Sequence, residues 1–215
     1  SALAMDKART KLVYRAGGLP TPDFVMLRAQ QSTRERRSAL DEVASWGYPV
    51  ALKPFVGGSS FGVSFPKDEV ELQAKLTAED FLAERFVGGT ELTCGVLDLG
   101  EGPFALPVTE IVPTEGYAFF DYEAMYTPGA TDEITPARIS DDVRDEGQRL
   151  AVAAHTLLGC RHLSRTDVML QDGRPTLIET NTLPGFTGTS LLPQAAAEHG
   201  IPFGDLVERL VAAAL

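Results

Sequence analysis

The sequence predicts an α+β fold, and three observations carry that prediction. Short apolar or alternating runs bounded by glycine and proline read as strands, among them Phe24 to Leu27 and Val50 to Lys53. Amphipathic helical stretches separate them irregularly, unlike the strict alternation of a doubly wound sheet. Gly88-Gly89 then divides the 215 residues into two halves, 1–88 and 89–215.

In chain order, Ala4 to Ala16 reads as a helix, with Leu12 and Val13 among basic residues, ending at Gly17-Gly18 before Pro20 and Pro22. Its abrupt start, with no loop or cap, is read as the continuation of a preceding segment. Leu82 to Phe86, Leu92 to Leu97 and Ala105 to Val112 are the next expected strands; Ala39 to Trp46 and Asp68 to Leu76 are expected helices. Arg34 to Arg37 reads as a solvated loop. Asp142 to Leu158 is the longest amphipathic helix, with Leu150, Val152, Ala153, Leu157 and Leu158 on its apolar face and Gly159 at its end. Leu191 to Glu198 and Phe203 to Ala214 form the last two helices, separated by His199-Gly200 and Pro202.

With 44% hydrophobic and 23% charged residues the chain can bury a core, and its net charge of -11 opposes association with nucleic acid or anionic membrane. A bound polyanion would need a specific site. Cys94 and Cys160 lack metal-ligand spacing and read as reduced buried thiols. No apolar run reaches membrane-spanning length and no signal-peptide order opens the chain, so the cytoplasm is the expected compartment. His155, His162 and His199 lie on helices or at their ends and read as structural.

Three constellations can carry chemistry. Lys53 ends an apolar strand and leads into Pro54-Phe55-Val56-Gly57-Gly58-Ser59-Ser60-Phe61-Gly62, where one cation, hydroxyls and approachable backbone N–H groups suit a polyphosphate. It is not a P-loop of the GxxxxGK[ST] type, and an ordinary turn is the alternative. The second is the hairpin around Asp172-Gly173. Residues two apart share a strand face: Arg165, Asp167 and Met169 on one strand, Leu177, Glu179 and Asn181 on the other. A two-residue turn would pair Asp167 with Ile178. A three-residue loop, Gln171 to Gly173, with Gly173 in a bulge, would instead bring Asp167 and Glu179 together on one face, and this bulged form is the expected one. Asp167, Glu179 and Asn181 would then offer hard oxygen ligands suited to magnesium, with Arg165 beside them as a salt-bridge partner or a stabiliser of developing negative charge. The third, Asn181 to Leu191, opens a helix whose first N–H groups could hold an oxyanion or carboxylate.

Lys-Pro with GGSSFGVS, then FFDYEAMY, RTDVML and ETNTLPG, in that order, resembles the D-alanine–D-alanine ligase family of ATP-grasp enzymes across nearly the whole chain. The resemblance implies two α+β subdomains with nucleotide between them: a central one over 1–88 and a C-terminal one over 89–215. It implies ATP phosphates at Lys7 and Lys53, and a closing loop containing Ser59, Ser60 and Gly62. Adenine is implied at Glu84, Phe86 and Val87, ribose at Glu91, and apolar walls at Phe119 and Met169. Two magnesium ions, with manganese as a substitute, are implied on Asp167, Glu179 and Asn181. Arg165 and the Gly185 N–H would stabilise a tetrahedral intermediate, and Ser190 and Leu191 would hold the second substrate's carboxylate. The implied reaction activates one D-amino acid as an acyl phosphate, which the amine of a second attacks, to supply a peptidoglycan precursor. Small D-amino acids and a homodimer are the implied partners.

Three features depart from the family pattern. Met125 stands where a lysine is usual, although Tyr126, which favours an amine acceptor, is retained. The family's N-terminal domain is absent from the sequence, and the Leu76 to Phe81 connection is short. Another amino-acid acceptor, or an ATP-binding fragment weakened in catalysis, are the alternative readings.

Overall fold

The computed structural model describes residues 1–58, 61–113 and 131–215. Ser59, Ser60, Phe119, Met125 and Tyr126 lie outside the described residues.

The opening segment forms two helices where one was expected: α1 (Ala2–Met5) and α2 (Lys7–Ala16). Asp6 breaks them because its backbone is extended and its carboxylate accepts from the Arg9 N–H, capping α2. The same residue bridges to Val56, which ties the start of α2 to the chain entering the glycine loop.

β1 (Phe24–Leu27), β3 (Phe81–Arg85) and β2 (Val50–Pro54) make an antiparallel three-stranded sheet in that order. Helices α3 (Thr33–Ser45) and α4 (Glu69–Lys75) belong to this half, and α3 and α4 bury Leu40, Val43 and Leu72 with Leu52 and Ala83 of the sheet. α3 starts well before the expected Ala39. Ser32 and Glu35 form a reciprocal capping box, so Arg34 to Arg37, expected as a loop, are the largely exposed first turns of a helix.

The larger sheet is antiparallel, ordered β6 (Thr131–Ile134), β5 (Pro103–Pro113), β4 (Thr90–Asp98), β7 (Leu163–Gln171), β8 (Arg174–Asn181). β6 carries no apolar pattern, and sequence reading missed it. Helix α5 (Asp141–Leu157) packs Leu150, Ala151 and Ala154 against Leu92, Cys94, Val168 and Leu177. Cutting Leu150 back to alanine would cost about 2–5 kcal/mol in such a core. Helices α6 (Leu191–Glu198) and α7 (Phe203–Ala214) share a second core with Leu97 and Leu106.

α2 straddles the two sheets: Ala8 packs with Phe24 and Leu82 of the small one, while Tyr14 packs into the α5 side of the large one. Between β3 and β4 the chain turns at Gly89, whose φ is 125° and whose added Cβ would lie 2.1 Å from the Leu170 carbonyl oxygen. Only glycine fits there. Cys94 is buried, which pushes its thiol up to about 12, but Cys160 is only half-buried because it follows the end of α5; neither forms a disulfide. His155 is buried, with Nδ1 against the Ser164 hydroxyl at 2.8 Å. Among the described residues, no helix is long and apolar enough to cross a membrane.

Candidate active site

The β7–β8 hairpin brings the expected acids onto one face by an unexpected route. Gln171 pairs with Arg174, so the turn has two residues, and Asp172 and Gly173 have φ of 51° and 74°, the signature of the type I′ turn whose twist suits a hairpin. The three-residue loop does not form. The extra residue lies deeper in β8: Val168 faces Leu177 and Asp167 faces Glu179, leaving Ile178 as the bulge. Leu177 and Thr180 consequently turn into the α5 side, whereas the adjacent Ile178 and Glu179 both line a cleft. Asp167 thus meets Glu179, and Arg165 meets Asn181, on one face.

Asp167 is fully engaged. Its Oδ1 accepts from the Thr93 hydroxyl at 2.6 Å and from Arg165 Nε at 3.0 Å; its Oδ2 accepts from Arg165 Nη2 at 3.1 Å and Asn181 Nδ2 at 3.0 Å. The two-pronged contact fixes the guanidinium plane, and the Asp167 charge raises the Arg165 pKa further above its ordinary value. Neighbouring Glu91 is pushed up to about 7, chiefly by burial and then by the charge of Asp167, with Arg165 opposing.

The facing wall comes from α2 and the small sheet. Lys7 Nζ donates to the Gly57 carbonyl at 2.7 Å and lies 3.6 Å from Glu179 Oε2, joining the glycine loop to the acidic strand. Lys53 Nζ donates to Glu84 Oε2 at 3.0 Å, and Lys11 Nζ lies 3.4 Å from the same oxygen. Burial is the largest influence on Glu84 and opposes its ionisation, but the two ammonium groups outweigh it and hold its pKa below the ordinary value. Burial likewise brings Lys11 down to about 8, against the pull of Glu84. This triad carries one surplus positive charge. Glu84 Oε1 is buried with no hydrogen-bond partner among the described residues.

These walls enclose a cleft of about 480 Å³. Lys7, Lys53, Glu84, Phe86, Val87, Glu91, Arg165, Asp167, Met169, Glu179 and Leu191 all line it. Phe86 meets Phe65 edge to face at 5.9 Å between ring centres. Asn181 joins the site through Asp167 rather than by lining the cleft. Gly62 borders a neighbouring groove instead, with φ of 74° and its missing Cβ against Pro54. Gly185 is exposed next to Ser190, whose hydroxyl accepts from the Thr187 N–H at 3.0 Å ahead of α6; neither lines the cleft. Lys11 and Thr93 went unnoticed in the sequence, and Ile178 figures there only as a pairing position: a lysine on a basic helix and a threonine or isoleucine in a strand look ordinary until topology gives them partners.

Two carboxylates and an amide on one sheet face form a hard-oxygen donor set that fits a small divalent cation. Among the described residues no three His, Cys, Asp or Glu side chains cluster closely enough to hold a metal alone, so Asn181 and non-protein oxygens would have to complete the shell. Asp167 would have to exchange hydrogen bonds for it.

Residues 13–212 match the family model described as the D-ala D-ala ligase C-terminus. A D-alanine–D-alanine ligase of Leptospira biflexa is 42% identical, covering 96% of this chain and 60% of its own length. One from Pelotomaculum thermopropionicum is 41% identical over 100% of this chain and 69% of its own. Among solved structures, the D-alanine–D-alanine ligase of Bacillus anthracis complexed with ATP superposes with a TM-score of 0.79 at 27% identity, covering 98% of this chain and 66% of that one. The VanG D-Ala:D-Ser ligase of Enterococcus faecalis gives 0.82 at 28%, covering 100% and 62%. The chain therefore spans about 60–69% of the length of these curated relatives, and its fold is the ATP-grasp fold that the resemblance implied. It belongs to the D-alanine–D-alanine ligase family and corresponds to that family's C-terminal region.

Proposed function

We propose that this chain supplies the nucleotide-binding and catalytic part of an ATP-dependent ligase that joins two D-alanines for peptidoglycan precursor synthesis. The observation that carries the reading is the cleft itself, with lysines from one wall facing Arg165, Asp167 and Glu179 from the other. The buried, partnerless Glu84 Oε1 adds support, because the exocyclic amine of adenine is the donor it lacks.

In this reading residues 1–88 and 89–215 act as two subdomains around the nucleotide. Lys7 and Lys53 bind phosphates beneath the loop of Ser59, Ser60 and Gly62. Phe86 and Val87 flank adenine with Glu84, Met169 and Phe119 pack on the base, and Glu91 contacts ribose. Asp167, Glu179 and Asn181 hold two magnesium ions, for which manganese can substitute; when bound they neutralise phosphate charge. A D-alanine carboxylate oxygen bonds to the γ-phosphorus as ADP leaves, giving an acyl phosphate. The amine of a second D-alanine, oriented with Tyr126 and with its carboxylate at Ser190 and Leu191, then attacks the acyl carbon. Arg165 and the Gly185 N–H stabilise the oxyanion before phosphate departs. The same reading takes the working enzyme to be a cytoplasmic homodimer.

The test is calorimetric titration of the chain with ATP and magnesium, paired with an assay of phosphate release and dipeptide formation. The assay uses the chain joined to the N-terminal segment of a ligase relative, with D-alanine or D-serine as acceptor. Saturable ATP binding and D-alanine-dependent dipeptide are expected. Absence of ATP binding overturns the reading, and phosphate release with product from D-serine alone changes the acceptor.

A further inference from the structure

Glu84 is held by two lysines of different character. Lys53 belongs to the cleft wall and is the one proposed to turn toward phosphate. Lys11 does not line the cleft: it is 1% exposed, and its Nζ donates to the Thr21 hydroxyl at 2.8 Å and to the Leu177 carbonyl at 3.3 Å, anchors outside the nucleotide space. Thr21 in turn donates to that carbonyl at 3.0 Å, so the anchor is built into the middle of β8. Both ammonium groups address Glu84 Oε2, leaving Oε1 buried and without a hydrogen-bond partner among the described residues.

We infer that Lys11 is a positioning residue for purine selection: it holds Glu84 ionised and oriented, so that Oε1 accepts from a 6-amino purine even when Lys53 is drawn to phosphate. The inference rests on the adenine reading of Glu84 given above. A carboxylate that keeps a fixed cation on one oxygen presents the other as a pure acceptor, which favours an amino group over a carbonyl at the purine 6-position. Without Lys11, nucleotide binding would strip Glu84 of its remaining partner. A buried carboxylate so deprived turns or takes up a proton, and the acceptor is lost.

The experiment titrates the chain calorimetrically with magnesium ATP and with magnesium purine riboside triphosphate, which differs only in lacking the 6-amino group. A hydrogen bond to a charged acceptor predicts a preference of about tenfold or more for ATP in the unaltered chain. Lys11→Met is expected to bring the two affinities together mainly by weakening ATP. Lys53→Met should weaken both nucleotides alike and leave their ratio intact. Thr21→Val, which removes one of the two anchors of Lys11, should give an intermediate ratio and serves if Lys11→Met does not fold. A ratio unchanged in both Lys11→Met and Thr21→Val overturns the role of Lys11 while leaving the adenine site standing. Equal affinities in the unaltered chain overturn the adenine reading itself, and the inference with it.

Discussion

Replacing Glu91 with glutamine should make the protein more stable at pH 8 and change it much less at pH 5. Glu91 sits on β4 opposite Met169 of β7 and Ile111 of β5, half-buried, with the acids of the site on the same face. Burial, and after it the charge of Asp167, raises its carboxyl from 4.5 to about 7. Between those two values the folded chain keeps a proton that the unfolded chain has released. The stability linked to that proton is complete below about 4.5 and is lost as the pH rises through about 7. At about 1.4 kcal/mol per pH unit the gap sets a ceiling of about 3.5 kcal/mol, and residual contact with water brings the expected loss to about 1–3 kcal/mol. Glutamine keeps the shape and never ionises, so the variant escapes the loss. Denaturant unfolding of both proteins at pH 5, 6, 7 and 8 measures it. If the two stabilities run parallel across that range, the burial argument for Glu91 is wrong.

Four other perturbations test three separate parts of the structure. Gly89→Ala should cost about 2–4 kcal/mol in thermal or denaturant unfolding, since the new methyl meets the Leu170 carbonyl at a positive φ. Gly100→Ala, with φ of 103° but open space around it, should cost only about 1–2 kcal/mol; equal costs would show that the Leu170 contact is irrelevant. Thr93→Val removes the hydroxyl that donates to Asp167, and manganese affinity in the presence of ATP should fall on the order of tenfold. An unchanged affinity would show that the Thr93 hydroxyl does not hold Asp167 in place for the metal. Deleting Ile178 should leave Asp167 opposite Glu179 in a regular two-residue hairpin, so manganese affinity should survive while nucleotide affinity drops; loss of manganese binding as well would show that the bulge itself shapes the site.

What the sequence made legible followed from patterns that tertiary context rarely overturns. The boundaries of α6, α7 and the strand Phe24–Leu27 match those read from the sequence, and the other strands up to Val112 differ by at most two residues at either end. Features that escaped depend on one local contact or on distant ones. The start of α3 is set by a single capping box that outweighs the apparent charge run. Lys11 becomes site-supporting only when β3 and β8 are brought to it, and Thr93 only when β7 is, relations spanning from 73 residues, between Thr93 and Thr166, to 166, between Lys11 and Leu177.

The hairpin shows why a correct pairing can be inferred for the wrong reason. Chemistry required Asp167 and Glu179 to share a face, and parity then demanded one residue beyond a regular two-residue turn. Parity says nothing about where that residue goes. Placed in the turn, it would have cost the type I′ geometry that Asp172 and Gly173 adopt, whose twist matches the strands. Placed at Ile178, it leaves the turn and four regular pairs intact and bends β8 where the acids begin. It also sets an isoleucine beside Glu179 on the cleft side, where regular alternation would have allowed only one of the two. A shorter, regular hairpin could pair the same acids. The extra residue therefore makes sense as a means of giving one strand both an apolar wall for the cleft and a carboxylate for the metal face at adjacent positions.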